Sequence, residues 1–298
     1  MLKIPLLIVI FILILGFAVS YGSDDMTRAF TPPAIAYQPR GFYPGSEYAE
    51  SARTQITQEL QQLRELGFLS LVTYGSRAAM GSIPEIARAQ GFSGMIIMGI
   101  WDIYSVEEWD NAVAQREFVD GYCLGNEGLF AVRYSVEELE KRMSDLRRVT
   151  GKPVTTGEPI YSYLEGPYRE WLLQHSDWLF PNTHPFWGGQ RNFQDAVDWV
   201  VSRIDYLEAS TGKKVIVKET GLPSVSPYSE SEKMQKDFFT ELTSTGVRFV
   251  YFEAFDQRWK YELENQPEAE GHWGLHDAQG RPKKAIDAIT QSTGPKND

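Results

Sequence analysis

The chain has 298 residues, of which 42% are apolar and 23% charged, and its formal net charge at pH 7 is −11. This composition excludes a wholly disordered protein, and an acidic chain without a basic run argues against binding to a nucleic-acid phosphate backbone. The single cysteine, Cys123, excludes an internal disulfide and a zinc site built from cysteines.

The N-terminus carries a segment whose composition suits a membrane. An uncharged apolar run extends from Ile4 to Val19, after Lys3 and ahead of an Asp-Asp pair. This order predicts export, with residues 1–22 acting either as a cleaved signal peptide or as an uncleaved membrane anchor. Both alternatives stay open because the run is shorter than the roughly 20 residues that span a bilayer. We therefore expect the rest of the protein outside the cytoplasmic membrane, in the periplasm or the extracellular space.

From residue 32 to residue 292 the sequence alternates short apolar runs with amphipathic stretches, a pattern typical of strands followed by helices. The predicted strands are 34–37, 68–74, 95–101, 119–124, 153–157, 178–182, 214–218 and 247–252. The predicted helices are 54–66, 83–89, 106–115, 135–149, 168–175, 193–210, 229–244 and 282–290. No Pro/Gly/Ser-rich linker interrupts this pattern, so we expect one domain over residues 32–292.

Alternating strands and helices pair in parallel, and eight such units predict an α/β fold, a single (β/α)8 TIM barrel. The competing doubly wound sheet would need a glycine-rich phosphate loop after the first strand, and the sequence there reads Tyr37-Gln38-Pro39-Arg40-Gly41. In a barrel, function concentrates at the carboxyl ends of the strands.

The residues at the ends of the predicted strands are acidic or aromatic, with one histidine. In chain order they are Tyr37, Tyr74, Trp101, Glu127, Glu158, His184, Glu219 and Glu253. A random surface would include lysines and arginines among them. We therefore predict a cleft with carboxylates at its base and aromatic side chains on its walls.

Two of these carboxylates suit cleavage of a glycosidic bond. Glu127 ends the fourth predicted strand and Glu219 the seventh, so their side chains can face each other across the barrel mouth. Such cleavage needs a proton donor and a second carboxylate, which attacks the sugar in enzymes that retain the anomeric configuration. Asn126, directly before Glu127, is suited to bind the sugar 2-hydroxyl.

Further side chains at the predicted rim are candidates for sugar contacts. Tryptophan and phenylalanine faces stack on sugar rings, although some of these rings could instead close the top of the barrel. Glu158 and Glu253 could bind sugar hydroxyls or pair with Arg258 or Lys260, and Tyr37 and Tyr74 belong either to a sugar subsite or to the core. The aromatic candidates are Trp101, Phe186, Trp187, Trp259 and Trp273.

Histidine spacing does not indicate a metal site. The four histidines lack the spacing of zinc ligands, so we expect no metal. His184 is better explained as a hydrogen-bond partner of Glu219, or else as a buried histidine of the core.

The sequence resembles glycoside hydrolase family 17, whose members are retaining barrels active on β-1,3-glucan. The resemblance covers roughly residues 34–289, and His272-Trp273-Gly274-Leu275 is similar to the end of the bacterial members. Two positions depart from the family pattern: His184 stands where plant members usually have a tyrosine, and Leu222 stands where a tryptophan usually follows the nucleophile. The other motifs that carry the resemblance are Gly125-Asn126-Glu127, Glu219-Thr220-Gly221-Leu222-Pro223 and Phe252-Glu253-Ala254-Phe255-Asp256-Gln257-Arg258-Trp259-Lys260.

The resemblance implies roles for individual residues. It makes Glu127 the acid/base and Glu219 the nucleophile, with Asn126 supporting the proton donor. It also implies that the segment from Asp256 to Lys260 lines sugar subsites.

The sequence thus predicts an exported enzyme that acts on β-glucan or its oligosaccharides by double displacement, without a cofactor. An endo-1,3-β-glucanase-like hydrolase would pass the glycosyl group to water, and a β-1,3-glucanosyltransferase would use the same site to pass it to a sugar. Two alternatives from other classes are a non-catalytic glucan-binding barrel and a barrel acting on a phosphorylated metabolite. The last would need a glycine-rich phosphate loop after the seventh or eighth strand, and neither loop has one.

Overall fold

Seven short strands form one parallel sheet at the centre of the molecule. The computed structural model describes residues 23–43, 52–225 and 231–293, so the predicted signal or anchor segment lies outside the described residues. The strands are β1 (Ala34–Ala36), β2 (Ser70–Val72), β3 (Ile96–Ile100), β4 (Gly121–Asn126), β5 (Val154–Gly157), β6 (Val217–Thr220) and β7 (Phe249–Tyr251). Their order in the sheet is β5-β4-β3-β2-β1-β7-β6, and all neighbours pair in parallel, as predicted.

The prediction of a strand over residues 178–182 is corrected to an extended segment with isolated bridges. In this segment Asn182 bridges in parallel to Pro159, after β5, and to Glu219, in β6. Pro181 has no N–H to donate, which interrupts a regular hydrogen-bond ladder in the middle of the segment. The segment nevertheless lies between the two edge strands of the sheet and bonds to both sides.

Helices follow each strand and the bridging segment, as the alternating pattern predicted. The helix over Val136–Thr150 begins with the capping box of Ser135 and Glu138, and Gly151, whose φ is 68°, caps its C-terminus. No helix in the described ranges has the length and apolar composition that a membrane crossing requires. The helices are α1 (Ser23–Ala29), α2 (Ala52–Glu65), α3 (Ile83–Ala89), α4 (Val106–Ala114), α5 (Val136–Thr150), α6 (Ile160–Leu164), α7 (Arg169–His175), α8 (Phe193–Thr211), α9 (Ser231–Ser244), α10 (Trp259–Glu262) and α11 (Ala285–Thr293).

The core lies between the sheet and the surrounding helices. Every residue of β3 is buried, and the same holds for nearly all residues of the other strands, as expected for a parallel sheet covered by helices. Helix α5 contributes Leu139, Met143 and Leu146 at helical spacing. Cys123 is buried in β4. Because the faces of the sheet are covered, polar side chains are expected at its carboxyl edge and in the loops beyond that edge.

Candidate active site

A cavity of about 540 Å³ lies at the carboxyl ends of the strands. Both predicted catalytic carboxylates and most of the other predicted site residues line it. These are Tyr74, Trp101, Asn126, Glu127, His184, Trp187, Glu219, Glu253, Trp259, Lys260 and Trp273.

The turn that presents Glu127 is held by its backbone and by one tyrosine. Gly125 and Glu127 both have positive φ, 73° and 54°, and the N–H of Glu127 donates to the carbonyl of Gly157 at 2.7 Å. The ring of Tyr134 lies against both glycines of this turn. A Cβ added at Gly125 would lie 1.9 Å from the Tyr134 hydroxyl oxygen, and a Cβ added at Gly128 would lie 2.0 Å from the ring. The two glycines are therefore required for Tyr134 to pack there.

The surroundings of Glu127 favour its protonated form. Asn182 donates from Nδ2 to Glu127 Oε1 at 2.7 Å and to Asn126 Oδ1 at 3.0 Å. Burial raises the pKa of Glu127 above its ordinary value, and the negative charge of Glu219 raises it further, while the hydrogen bond from Asn182 opposes both. A carboxyl that keeps its proton to higher pH is suited to act as a general acid.

The surroundings of Glu219 favour its ionised form. The carboxylate is only 4% exposed; Lys218 Nζ donates to its Oε1, and His184 Nε2 lies 3.2 Å from its Oε2, the contact predicted for this histidine. Burial by itself would raise the pKa of Glu219, but the charge of Lys218 and the contact with His184 outweigh it and lower the pKa to about 2. A carboxylate that is charged at neutral pH is suited to act as a nucleophile.

Two residues that contact the carboxylates were missed by the sequence prediction. Lys218 is 1% exposed and also donates to Asn126 Oδ1 at 2.8 Å, and Asn182 contacts Glu127 and Asn126 as described above. A signal for Lys218 was available, because it is a charged residue at the end of an apolar strand and a buried lysine needs a partner. Nothing comparable marks Asn182, since its role depends on which strands become neighbours.

Glu253 is paired with a lysine on the floor of the cavity. Lys260 Nζ donates to Glu253 Oε1 at 2.7 Å, so the alternative of an ion pair is the one found. Burial raises the pKa of Glu253 to about 7 even though Lys260 opposes the shift. The pKa of the nearby Tyr74 is raised well above its ordinary value by burial and by the charges of Glu219 and Glu253.

Aromatic side chains form part of the cavity wall. Trp101 and Trp187 are 43% and 50% exposed, and the guanidinium of Arg133 lies over one face of the Trp101 ring, 4.5 Å from its centre. Trp187 Nε1 donates to Glu270 Oε1 at 3.0 Å, and Trp259 Nε1 donates to Gln257 Oε1 at the same distance. Trp273 is fully buried and packs against His184 and Phe252, so it supports the base of the cavity.

Two predicted site residues are placed beneath the cavity and do not line it. The hydroxyl of Tyr37 donates to Glu59 at 2.7 Å, which assigns this residue to the core alternative. Glu158 is fully buried, and its two oxygens accept hydrogen bonds from the N–H groups of Leu129 and Phe130 at 3.0 and 3.1 Å. Burial raises the pKa of Glu158 to about 7. Glu158 therefore anchors the loop after Glu127 and is paired neither with Arg258 nor with Lys260.

Phe186 and Asp256 are also absent from the cavity lining. The ring of Phe186 packs edge-on against Trp187 and Trp273. Asp256 Oδ1 accepts from Lys283 Nζ at 2.6 Å and from the N–H of Gly274 at 2.9 Å, so its charge is satisfied inside the fold. Phe186 thus packs behind two residues of the cavity wall, and Asp256 holds the backbone next to one of them, Trp273.

Within the part of the chain that the structure describes, no group of three or more His, Cys, Asp and Glu side chains is arranged to hold a metal ion.

Comparisons with known proteins connect this geometry to glycoside hydrolases. The family model described as "BtgE/BtgC glycoside hydrolase domain" matches residues 34–274. A glucan 1,3-beta-glucosidase of Saccharomyces cerevisiae is 24% identical over 235 residues, which are 67% of this chain and 74% of the relative. A putative glucan endo-1,3-beta-glucosidase of Aspergillus niger is 23% identical over 83% of this chain, which spans 42% of that longer relative.

A solved structure shares the fold. The crystal structure of the glycoside hydrolase family 17 beta-1,3-glucanosyltransferase from Rhizomucor miehei matches with a TM-score of 0.68 and 19% identity, covering 88% of this chain and 98% of that one. An active-site mutant of the same enzyme has been solved in complex with laminaritriose. The family model and this similarity of fold confirm the resemblance to glycoside hydrolase family 17.

Proposed function

The chain belongs to the BtgE/BtgC glycoside hydrolase family, and from this premise we propose that it is a retaining enzyme acting on β-1,3-glucan. One observation carries the proposal: two carboxylates line the same cavity, and their pKa values are shifted in opposite directions. Environments that separate two carboxyl groups in this way assign one as the acid and the other as the nucleophile.

In the first step Glu219 attacks the anomeric carbon, and the glycosidic bond breaks as Glu127 gives its proton to the leaving oxygen. The products are a glycosyl ester on Glu219 and an ionised Glu127. In the second step Glu127 takes a proton from water or from a sugar hydroxyl, whose oxygen attacks the anomeric carbon and releases Glu219. Asn126 binds the sugar 2-hydroxyl during both steps, and Trp101 and Trp187 supply stacking faces.

We infer one (β/α)8 domain over residues 32–292, in which the bridging segment 178–182 takes the place of the remaining strand. The fold shared with the Rhizomucor miehei enzyme supports this inference. Residues 1–22 would direct or anchor the domain outside the cytoplasmic membrane, for which the apolar run of residues 4–19 is the support.

Hydrolysis and glucanosyl transfer use the same two glutamates, and one experiment separates them. The protein is incubated with laminaripentaose and the products are sized by mass spectrometry. The Glu219→Ala variant is run beside it, together with Glu137→Ala, which removes an exposed carboxylate of α5 that does not line the cavity. Shorter products alone identify a hydrolase, and products longer than five sugars identify a transferase.

The controls decide whether the site is the proposed one. Glu219→Ala is expected to abolish turnover and Glu137→Ala to leave it unchanged. Wild-type activity in Glu219→Ala would refute the mechanism, and inverted anomeric configuration in early products, read by proton NMR, would refute double displacement. A folded wild-type protein that binds laminaripentaose without converting it would instead indicate a glucan-binding barrel.

A further inference from the structure

The side chain of Lys218 follows one confined path through the interior. It leaves β6 beneath the cavity and crosses Gly157 of β5, where an added Cβ would lie 2.6 Å from Lys218 Cδ. Its Nζ ends 4.6 Å from the centre of the Tyr74 ring. A lysine with 1% exposure destabilises the fold unless its charge is paired, so the contacts of this ammonium group must be specific.

The contacts of Lys218 determine how the amide of Asn126 is oriented. A lysine ammonium can only donate hydrogen bonds, so the oxygen of the Asn126 amide must face it. The observed partner is Asn126 Oδ1 at 2.8 Å, and Asn182 Nδ2 donates to the same oxygen at 3.0 Å. The NH2 group of Asn126 is therefore directed away from Lys218, and Asn126 itself lines the cavity.

Lys218 also makes the two oxygens of Glu219 inequivalent. Oε1 accepts from Lys218, which does not line the cavity, whereas Oε2 faces His184, which does. The oxygen held by the lysine is thus on the interior side of the carboxylate. Oε2 contacts a residue of the cavity wall, which favours it as the oxygen that attacks a ligand.

We propose that Lys218 is a positioning residue. It holds Oε1 of Glu219 so that Oε2 attacks the sugar, and it fixes the orientation of the Asn126 amide. The catalytic consequence rests on the function proposed above. In the first step Oε2 forms the bond to the anomeric carbon, and Oε1 becomes the carbonyl oxygen of the ester. When that ester C–O bond breaks in the second step, the electron pair returns to a carboxylate whose charge Lys218 stabilises.

The test uses two variants that disturb Lys218 in different ways. Lys218→Gln keeps a hydrogen-bond donor but removes the charge. Gly157→Ala keeps the charge, and its Cβ would lie 2.6 Å from Lys218 Cδ and 3.0 Å from Asn126 Oδ1, so it displaces the lysine stem and crowds the amide that the lysine orients. Lys214→Gln is the matched control, because Lys214 is an exposed lysine whose partner is Glu208. For each protein the carboxyl pKa of Glu219 is followed by NMR of carbon-13-labelled glutamate, and kcat and KM for laminaripentaose are measured across pH.

In Lys218→Gln we expect the pKa of Glu219 to rise from about 2 toward the ordinary glutamate value, and the acidic limb of the kcat/KM profile to rise with it. In Gly157→Ala we expect kcat to fall about 10- to 100-fold with KM nearly unchanged. An unchanged Glu219 pKa in Lys218→Gln, or an unchanged kcat in Gly157→Ala, would overturn the proposal.

The readouts also separate this proposal from the proposed function. If the wild-type protein turns over no glucan, the function fails, and the Glu219 titration still decides whether Lys218 sets the charge of this carboxylate. If Lys218→Gln does not fold, Gly157→Ala supplies the decisive result: it removes no charged group, and an unchanged kcat in it overturns the proposal.

Discussion

Glu158 offers a test of the site's electrostatics that does not depend on activity. This carboxyl is fully buried, and burial raises its pKa from 4.5 to about 7. A carboxyl whose pKa is higher in the folded state adds stability below its unfolded pKa and loses that contribution as the pH rises through its folded pKa. Between pH 5 and pH 8 the wild-type protein should therefore lose about 2 to 3 kcal/mol of unfolding free energy through this one group.

The variant that isolates this contribution is Glu158→Gln. Glutamine cannot ionise, but its NH2 group will face one of the two backbone N–H groups that Glu158 accepts from, so the variant carries a penalty that is the same at every pH. The other titrating groups, Glu253 among them, are present in both proteins, so their own contributions cancel in the difference apart from the coupling of Glu158 to the charge of Glu127.

The assay is urea unfolding of wild type and Glu158→Gln at pH 5 and at pH 8. We expect the difference in unfolding free energy, variant minus wild type, to be about 2 to 3 kcal/mol more positive at pH 8 than at pH 5. The variant is thus more stable relative to wild type at pH 8. A difference between the two proteins that does not change with pH would refute the reasoning. It would show that Glu158 is ionised throughout and that its two N–H donors outweigh its burial.

Two further predictions concern the acid and the packing around the cavity. Glu127→Gln should lower kcat on laminarin by about 10²- to 10⁴-fold and abolish the loss of activity at alkaline pH that deprotonation of Glu127 causes. The first step on an aryl glucoside with an acidic leaving group should be slowed much less, because that leaving group needs no proton. Equal losses on both substrates would argue against a proton donor. Gly274→Ala should lower the unfolding free energy by about 1 to 3 kcal/mol, because its Cβ would lie 2.2 Å from the backbone nitrogen of Asp256 and 2.4 Å from the carbonyl oxygen of His276. An unchanged melting temperature would contradict this prediction.

The alternation of strands and helices was predictable because it depends on local periodicity. Six of the seven strands are shorter than predicted, whereas β4 keeps its predicted length and begins two residues later; residues 178–182 form bridges without a regular ladder. Hydrophobic runs mark which residues are buried, whereas ladder hydrogen bonds require N–H groups that Pro181 lacks. Burial and strand assignment therefore diverge in this segment.

The location of a site residue was predictable where it follows from the residue's position at a strand end. Glu127, Glu219 and His184 were brought together as expected. Glu158 stands at an equivalent position, but its oxygens are taken by the backbone of the loop after β4. Asp256 is likewise taken by Lys283, 27 residues further along the chain. Such pairings are tertiary contacts, and local sequence pattern does not encode them.

The packing of Tyr134 against the turn that carries Glu127 bears on how related sequences should be interpreted. Because its ring occupies the space that side chains at Gly125 and Gly128 would fill, a descendant that no longer cleaves glucan would keep both glycines merely to preserve its fold. Retention of these glycines is thus a sign of folding constraint and a poor marker of enzymatic competence. Under the mechanism proposed above, activity in a divergent relative is better judged from the residues equivalent to Glu127 and Glu219.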